Sequence, residues 1–495
     1  MDTITMNVLV LNAPYFPRFS RPQRSPAVTK SGTIYYPIWL AYAVGVLEHD
    51  NFNVTFLDAP AQDLEMRDVL DAVRQTSPSL VVMDVATPSI DNDLAVAADI
   101  RLLAPDTTIL TVGTHVSALP EDTLTRSDVV DAVARREYEM TVLDLARAIR
   151  THKGKPPDDV LASILGLSYR TNDGTIAHNE DRPFIEDLDT LPWVSRVYKK
   201  HLRIEDYFNP NAIPPMVTLI TSRGCPFRCS FCVYPQTLTG RKYRFRSLSD
   251  VVTEIRYVKQ EFPHVKSIFF EDDTLTANKK RCMAFSRELI RQNLNISWTA
   301  NSRVDLDYET MALMKRAGCR MLCVGFESGD PKILRGMKKG IRRERMFQFM
   351  RDAKKAGILI HGCFIFGFPG ETRESIERTI DLSIQLDPDT VQYYPVMVYP
   401  GTEAYDEYLE KEWITVDDFS RWLTPDGLHN CVVRNENLTP EELVRLCDRA
   451  RRRFYLRPEY MGKKFLQVLT DSYEMRRTFK ASRTFIKHLI FGSKV

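Results

Sequence analysis

Nowhere in the 495 residues does an apolar run approach the roughly 20 residues that a membrane-spanning helix needs, which excludes an integral membrane protein. The first dozen residues lack the basic region, apolar core and cleavage site of a secretory leader. The nine cysteines are therefore expected in a reducing, cytoplasmic compartment, without disulfides. Repeats and low-complexity tracts are missing as well. An excess of one charge sign is also missing: 67 Lys and Arg face 65 Asp and Glu, a formal net charge of +2, and no nucleic-acid partner is expected. That small number hides an uneven distribution. From Arg449 to Val495 there are 13 Lys and Arg against 3 Asp and Glu, a net +10, which leaves −8 for everything before.

An apolar fraction of 44% and a charged fraction of 27% are ordinary for a globular protein, and the length suggests about three structural units. In residues 1–152, apolar runs at Asn7 to Leu11, Val54 to Leu57, Leu80 to Asp84 and Thr108 to Val112 alternate with helix-period stretches. This pattern predicts an α/β, doubly wound, Rossmann-like domain whose ligand face lies in the loops at the strands' carboxyl ends. Those loops hold Asn12-Ala13-Pro14, Asp58-Ala59-Pro60, Ala86-Thr87-Pro88 and Gly113-Thr114-His115. Residues 153–210 read as a linker with a hairpin around Asn172-Asp173-Gly174. The alternation restarts over 211–405 with six strands, from Val217 to Ile220 through Thr390 to Val396, which predicts a partial (β/α)6 barrel with its site at the strand ends. Residues 406–495 read as helical and basic. There Phe465, Leu466, Leu469, Phe485, Ile486, Leu489, Ile490 and Phe491 interleave with the charges. Such an end suits a solvated helical face, a peripheral contact with anionic lipid at the inner membrane surface, or a clamp on a phosphorylated substrate.

After the first barrel strand comes Thr221-Ser222-Arg223-Gly224-Cys225-Pro226-Phe227-Arg228-Cys229-Ser230-Phe231-Cys232. Three thiolates at this spacing can hold three corners of a four-iron cluster and leave the fourth iron open for chemistry. The rival is a structural zinc site, which closes with a fourth Cys or His, and none lies close by. Cys319 and Cys323, which bracket a strand, read as core thiols.

The triplet, with Phe231 before its last cysteine, resembles the signature of the radical S-adenosylmethionine (radical SAM) enzymes. The resemblance implies a [4Fe-4S] cluster on Cys225, Cys229 and Cys232. Its free iron chelates S-adenosylmethionine, and an electron from the cluster yields a 5′-deoxyadenosyl radical. It further implies Glu327 on the ribose with Gly329 easing backbone approach, and a Gly367-to-Glu371 turn with Gly370 on the adenine side. Phe231 would present its main chain to the adenine, Arg303 would hold the methionine carboxylate, and Glu271-Asp272-Asp273 the amino group or substrate hydroxyls. An electron donor of the flavodoxin or ferredoxin class follows from the same resemblance; no catalytic residue beyond these is assigned.

The pairing with a wound domain resembles the cobalamin-binding branch of that family. Asn12-Ala13-Pro14, Tyr36 to Leu40 and the Gly113-to-Ser117 stretch with His115 carry the match, and cobalamin is the cofactor it implies. Two departures stand out: no Asp-x-His-x-x-Gly sequence is present, and Arg135-Arg136-Glu137-Tyr138-Glu139 replaces a Gly-Glu-Gly-Glu-like loop, so bulky residues are expected to narrow the corrin site. That loop, together with Cys232 to Thr237 and Arg241 to Ser247, resembles a subgroup associated with hopanoid lipid biosynthesis. The expectation is activation of an unactivated carbon on a lipid or sugar-lipid, ending in methyl transfer. Rearrangement or contraction of a sugar ring on such a lipid is the alternative. A zinc-stabilised, non-catalytic binding protein is the alternative of another class.

Overall fold

The computed structural model describes residues 6–470 and residue 492, the last three of the continuous stretch by backbone alone. Strands β1 (Asn7–Asn12), β2 (Asn53–Asp58), β3 (Leu80–Asp84), β4 (Thr108–Val112) and β5 (Ala132–Ala134) form a parallel sheet. Every residue of β3, β4 and β5 is buried, as a sheet covered by helices on both faces requires. The three-residue β5 is too short to stand out as an apolar run. The hairpin β6 (Leu167–Arg170) and β7 (Ile176–His178) does not stand apart as a linker, because β6 pairs antiparallel with β5 and completes a seven-stranded sheet ordered β2-β1-β3-β4-β5-β6-β7. The order reverses at β1 and β3, which opens a crevice beyond their carboxyl ends.

The second sheet is β8 (Met216–Leu219), β11 (Ser267–Phe270), β12 (Ser297–Ser302), β13 (Cys319–Glu327), β14 (Leu359–Phe366) and β15 (Thr390–Pro395), all parallel and in sequence order. Helices 248–261, 279–291, 308–316, 343–356 and 373–386 cover its outer face. Between β8 and the first of them lies a small antiparallel pair, β9 (Ser222–Arg223) with β10 (Arg244–Phe245), and the three cysteines lie on the loop it closes.

Residues 13–37 are an irregular strap that leaves β1 and crosses the mouth of the barrel. Its Tyr36 hydroxyl donates to Met216 O (2.8 Å), and its ring stacks on Tyr207 at 3.8 Å. Residues 399–431 lie over the strap in turn: Ser25 Oγ meets the Tyr399 hydroxyl and His429 Nε2, each at 3.0 Å, and Val28 N donates to Gly427 O (2.8 Å). Phe19, Ala27 and Leu423 form a separate apolar cluster beneath this cover.

The described part of the predicted basic end pairs with carboxylates of the barrel helices at the surface. On helix 440–455, capped by Thr439, Arg449 and Arg453 pair with Glu377 and Asp381 of helix 373–386, and Arg451 donates to Tyr393 O. Met461 and Phe465 of the next helix are exposed, whereas Phe485, Ile486, Leu489, Ile490 and Phe491 lie outside the described residues.

Candidate active site at the barrel mouth

The cysteine loop is held from below by the carboxylates that follow β11. Asp273 Oδ2 accepts from Gly224 N (2.9 Å) and Thr239 Oγ1 (2.7 Å), while Asp272 Oδ1 accepts from Thr221 N (2.9 Å) and Ser222 Oγ (2.6 Å). Two of the three acidic residues expected to meet ligand are thus braces for the loop. Gly224 must be glycine: its φ is +82°, and a Cβ would sit 2.1 Å from Lys242 O. Gln236 Nε2 ties Ser230 O and Cys232 O together from the helix that follows.

Cys225 and Cys229 are buried, and Cys232 is half-buried. Burial raises the Cys225 thiol and pushes Cys232 up to about 12, so thiolates here need a bound metal to hold their charge. Three soft thiolate donors with no fourth Cys or His in the loop suit three corners of an iron–sulfur cluster, whereas structural zinc closes with a fourth ligand.

Arg303 is buried and already engaged. Its guanidinium lies 3.7 Å over the Phe227 ring, donates to Lys339 O (2.7 Å) and sits 4.0 Å from Cys229 Sγ. Its observed role is to lock the cysteine loop against the loop after β13.

Glu271 and Glu327 each pair through one oxygen and leave the other unpartnered, as Asp272 and Asp273 also do. Glu327 ends β13 with φ +64° beyond a register shift, and Lys339 Nζ donates to its Oε1 at 2.6 Å. Burial pulls the Lys339 pKa down, yet the Glu327 carboxylate and the Cys229 thiol hold it above the ordinary value. Lys339 escaped the sequence reading because it lies twelve residues past the strand, in an ordinary-looking basic turn. A Cβ on Gly325 would fall 2.1 Å from Glu327 Oε1 and 2.7 Å from Lys339 Nζ, so the pair folds back over that glycine on the inner face of the barrel. Glu271 Oε1 accepts from Arg24 Nη1 of the strap (2.6 Å), and burial raises the Glu271 pKa against that attraction. Glu327 Oε2 and Glu271 Oε2 are buried without a partner, two acceptors aimed at a place where ligand hydroxyl or amino groups would satisfy them.

The glycines after β13 and β14 serve packing and turn geometry. A Cβ on Gly329 would lie 2.9 Å from Arg378 O and Thr379 Cα, so its close approach is to helix 373–386. Gly367 (φ +111°) and Gly370 (φ +78°) shape a turn in which Glu371 Oε2 accepts from Gly367 N (2.6 Å) and Phe368 N (3.1 Å). Burial pushes Glu371 up to about 8, against the pull of those two backbone amides. The rings of Phe231 and Phe368 meet at 5.3 Å above that turn.

The wound domain turns its carboxyl edge toward the same loop. Gly113 (φ +115°) passes so close to Asp84 that a Cβ would lie 2.5 Å from its Oδ1, and burial pushes Asp84 up to about 7. Asn12 is consumed by a buried network: its Nδ2 donates to Asp58 (2.6 Å) and its Oδ1 accepts from Arg21 (2.7 Å). His115 Nδ1 lies 3.1 Å from Thr87 Oγ1, and the Phe419 ring covers the imidazole, whose pKa burial lowers to about 4. The bulky 135–139 loop is an inter-domain clamp: Glu137 takes Arg244 in two bonds (2.8 and 2.6 Å), and Glu139 pairs with Arg223 (2.6 Å). Between Ser117 to Asp122, Arg135, Arg136, Gln236 and Thr237 lies a cleft of about 830 Å³. With the unpartnered Tyr138 hydroxyl and His115 Nε2 buried nearby, this edge fits a large polar cofactor.

Comparison with known proteins agrees with both halves. The radical SAM superfamily profile matches residues 219–383, and the B12-binding domain profile matches residues 24–146. An uncharacterised methyltransferase of Pyrococcus horikoshii is 33% identical over 445 residues, covering 89% of this chain and 92% of the relative. The anaerobic magnesium-protoporphyrin IX monomethyl ester cyclase of Rubrivivax gelatinosus is 28% identical over 454 residues, covering 90% and 77%. The radical SAM methyltransferase TsrM of Kitasatospora setae, solved with cobalamin and a [4Fe-4S] cluster, shares the fold with a TM-score of 0.71 at 18% identity, covering 98% of this chain and all of that one.

Proposed function

The chain belongs to the radical SAM enzymes that carry a B12-binding domain, and we propose that it transfers a methyl group to an unactivated carbon. Cys225, Cys229 and Cys232 would hold the cluster, with Glu327 at the ribose, Lys339 at the methionine carboxylate and the Gly367-to-Glu371 turn at the adenine. Gly113, Ser117 and Tyr138 would hold the cobalamin. When bound, the cluster supplies the electron that splits the sulfonium, and the cobalamin carries the methyl group. The chain's own residues orient and exclude water: the strap and its cover close the barrel mouth, and Arg303 fixes the loop that presents the cysteines.

One observation carries this reading. The cysteine loop, the unpartnered oxygens of Glu271 and Glu327, and the carboxyl edge of the wound domain all meet at one mouth. For substrate, a lipid or sugar-lipid is supported by the exposed Met461 and Phe465 beside Lys463 and Lys464 on the last described helix. A reductant of the flavodoxin or ferredoxin class would supply the electron.

Anaerobically reconstituted protein tests the reading. Iron and sulfide near four each per chain, release of 5′-deoxyadenosine on reduction with S-adenosylmethionine, and labelled methyl in the product are expected. Cys229→Ala should lose the brown colour and the nucleoside together. A colourless, zinc-loaded protein would overturn the proposal.

A further inference from the structure

Two thiols face the inside of the barrel and take no part in the roles above. Along β13 the even positions point outward, where Phe326 meets Phe349 of helix 343–356, and the odd positions Cys323, Gly325 and Glu327 point inward. Along β14, His361, Cys363 and Ile365 share that inner face. Gly325 pairs in register with Cys363, and Cys323 with His361, which makes the two cysteines diagonal neighbours. Because the Glu327–Lys339 pair lies over Gly325, Cys363 stands directly beside it. The remaining walls come from Tyr394, whose electrostatic neighbours are Cys363, Glu327, Tyr35 and Cys232, and from Tyr35 of the strap.

These two thiols differ from the other cysteines outside the triplet. Cys282, Cys319 and Cys431 are buried and donate to backbone carbonyls, as core thiols do. A register shift at Trp298 and Thr299 leaves Cys319 on the helix side with Cys282 and turns Cys323 inward. Cys323 and Cys363 are only half-buried, in a chamber that also holds the unpartnered oxygens of Glu327 and Glu271.

We infer that Cys363, with Cys323 beside it, is a hydrogen-atom donor to carbon radicals formed in this chamber, which gives the enzyme an ending other than methyl transfer. The inference rests on the reading under Proposed function. In the step, the Sγ–H bond breaks and a C–H bond forms at the carbon radical, leaving a thiyl on the cysteine. One electron from a donor of the flavodoxin or ferredoxin class and one proton from solvent restore the thiol. Only the protonated form has a hydrogen atom to give, and burial keeps Cys363 in that form by pushing its pKa up to about 12. Hydrogen return is the ending a ring rearrangement needs, since the rearranged carbon gains no new group.

Thiol hydrogens exchange with solvent, so the test is turnover in D2O without added substrate, followed by mass analysis of the 5′-deoxyadenosine. The intact holoenzyme should place deuterium in the nucleoside, and Cys363→Ser, which keeps the size but offers a stronger O–H bond, should lower the labelled fraction by about tenfold. Cys323→Ser should lower it less. Unlabelled nucleoside, equal labelling in both serine variants and wild type, or labelling lost only in Tyr394→Phe overturns the inference while leaving nucleoside release intact. Absence of the nucleoside itself removes the parent reading and this one with it.

Discussion

Glu327 and Lys339 concentrate the energetics of the site in one pair. Both are buried, so removing one partner strands a charge where water cannot reach it. Lys339→Met should destabilise the protein by about 3 kcal/mol, read from the denaturant midpoint of the metal-free protein. It should also weaken S-adenosylmethionine binding by more than that loss of folding explains. His115 offers a pH readout. Folded, its pKa lies near 4; unfolded, near the ordinary 6.5, so the unfolded chain binds a proton that the folded one refuses. The stability contributed by neutral His115 is present above pH 6.5 and is lost as pH falls toward 4. His115→Gln should flatten the stability profile across that window by about 1.4 kcal/mol per pH unit relative to wild type. Equal slopes would mean that the imidazole is open to solvent and not shut beneath Phe419.

Between elements, the decisive contact joins the 135–139 loop to the β9–β10 pair that closes the cysteine loop. Glu137 also accepts from Ile185 N at 3.0 Å, so it ties three segments together. Glu137→Gln keeps the shape but weakens the charge on Arg244, and amide exchange over residues 222–245 should rise while exchange in β13 and β14 stays unchanged. This clamp also shows where sequence reading runs out. Strands β1 to β4 and all six barrel strands were legible because buried parallel strands are written as short apolar runs. The cysteine spacing was legible because its chemistry is local in the chain. The 135–139 loop was legible only as bulk, since Arg223 lies 84 positions from Glu139 and Arg244 lies 107 from Glu137, and no periodicity connects them. The docking of the hairpin on the first sheet was missed for a similar reason: a hairpin shows its turn in the sequence, but not the edge it joins. Arg303 and Gly329 follow strand ends as expected, yet what they face is distant in the chain: the cysteine loop and Lys339 for Arg303, helix 373–386 for Gly329.

At the scale of the whole molecule, the two domains share the strap, the clamp and the Tyr36 contact with β8. A protease cut at the exposed Asn172-to-Gly174 turn should therefore leave two fragments that travel together through gel filtration, and fragments that separate on their own would contradict this interface. No helix among the described residues is long and apolar enough to cross a membrane. Vesicle co-sedimentation at low and high salt reads any surface contact made by the last helices, and a lipid-seeking end should lose most of its binding at high salt. The strap has an evolutionary corollary. Since Arg24 and Tyr35 are encoded with the first domain but finish the walls of the second, recombination that replaces either half alone leaves the vessel unsealed. Lineages should therefore inherit the two halves as a matched set, and a chimera joined at the domain boundary should squander S-adenosylmethionine without modifying any substrate.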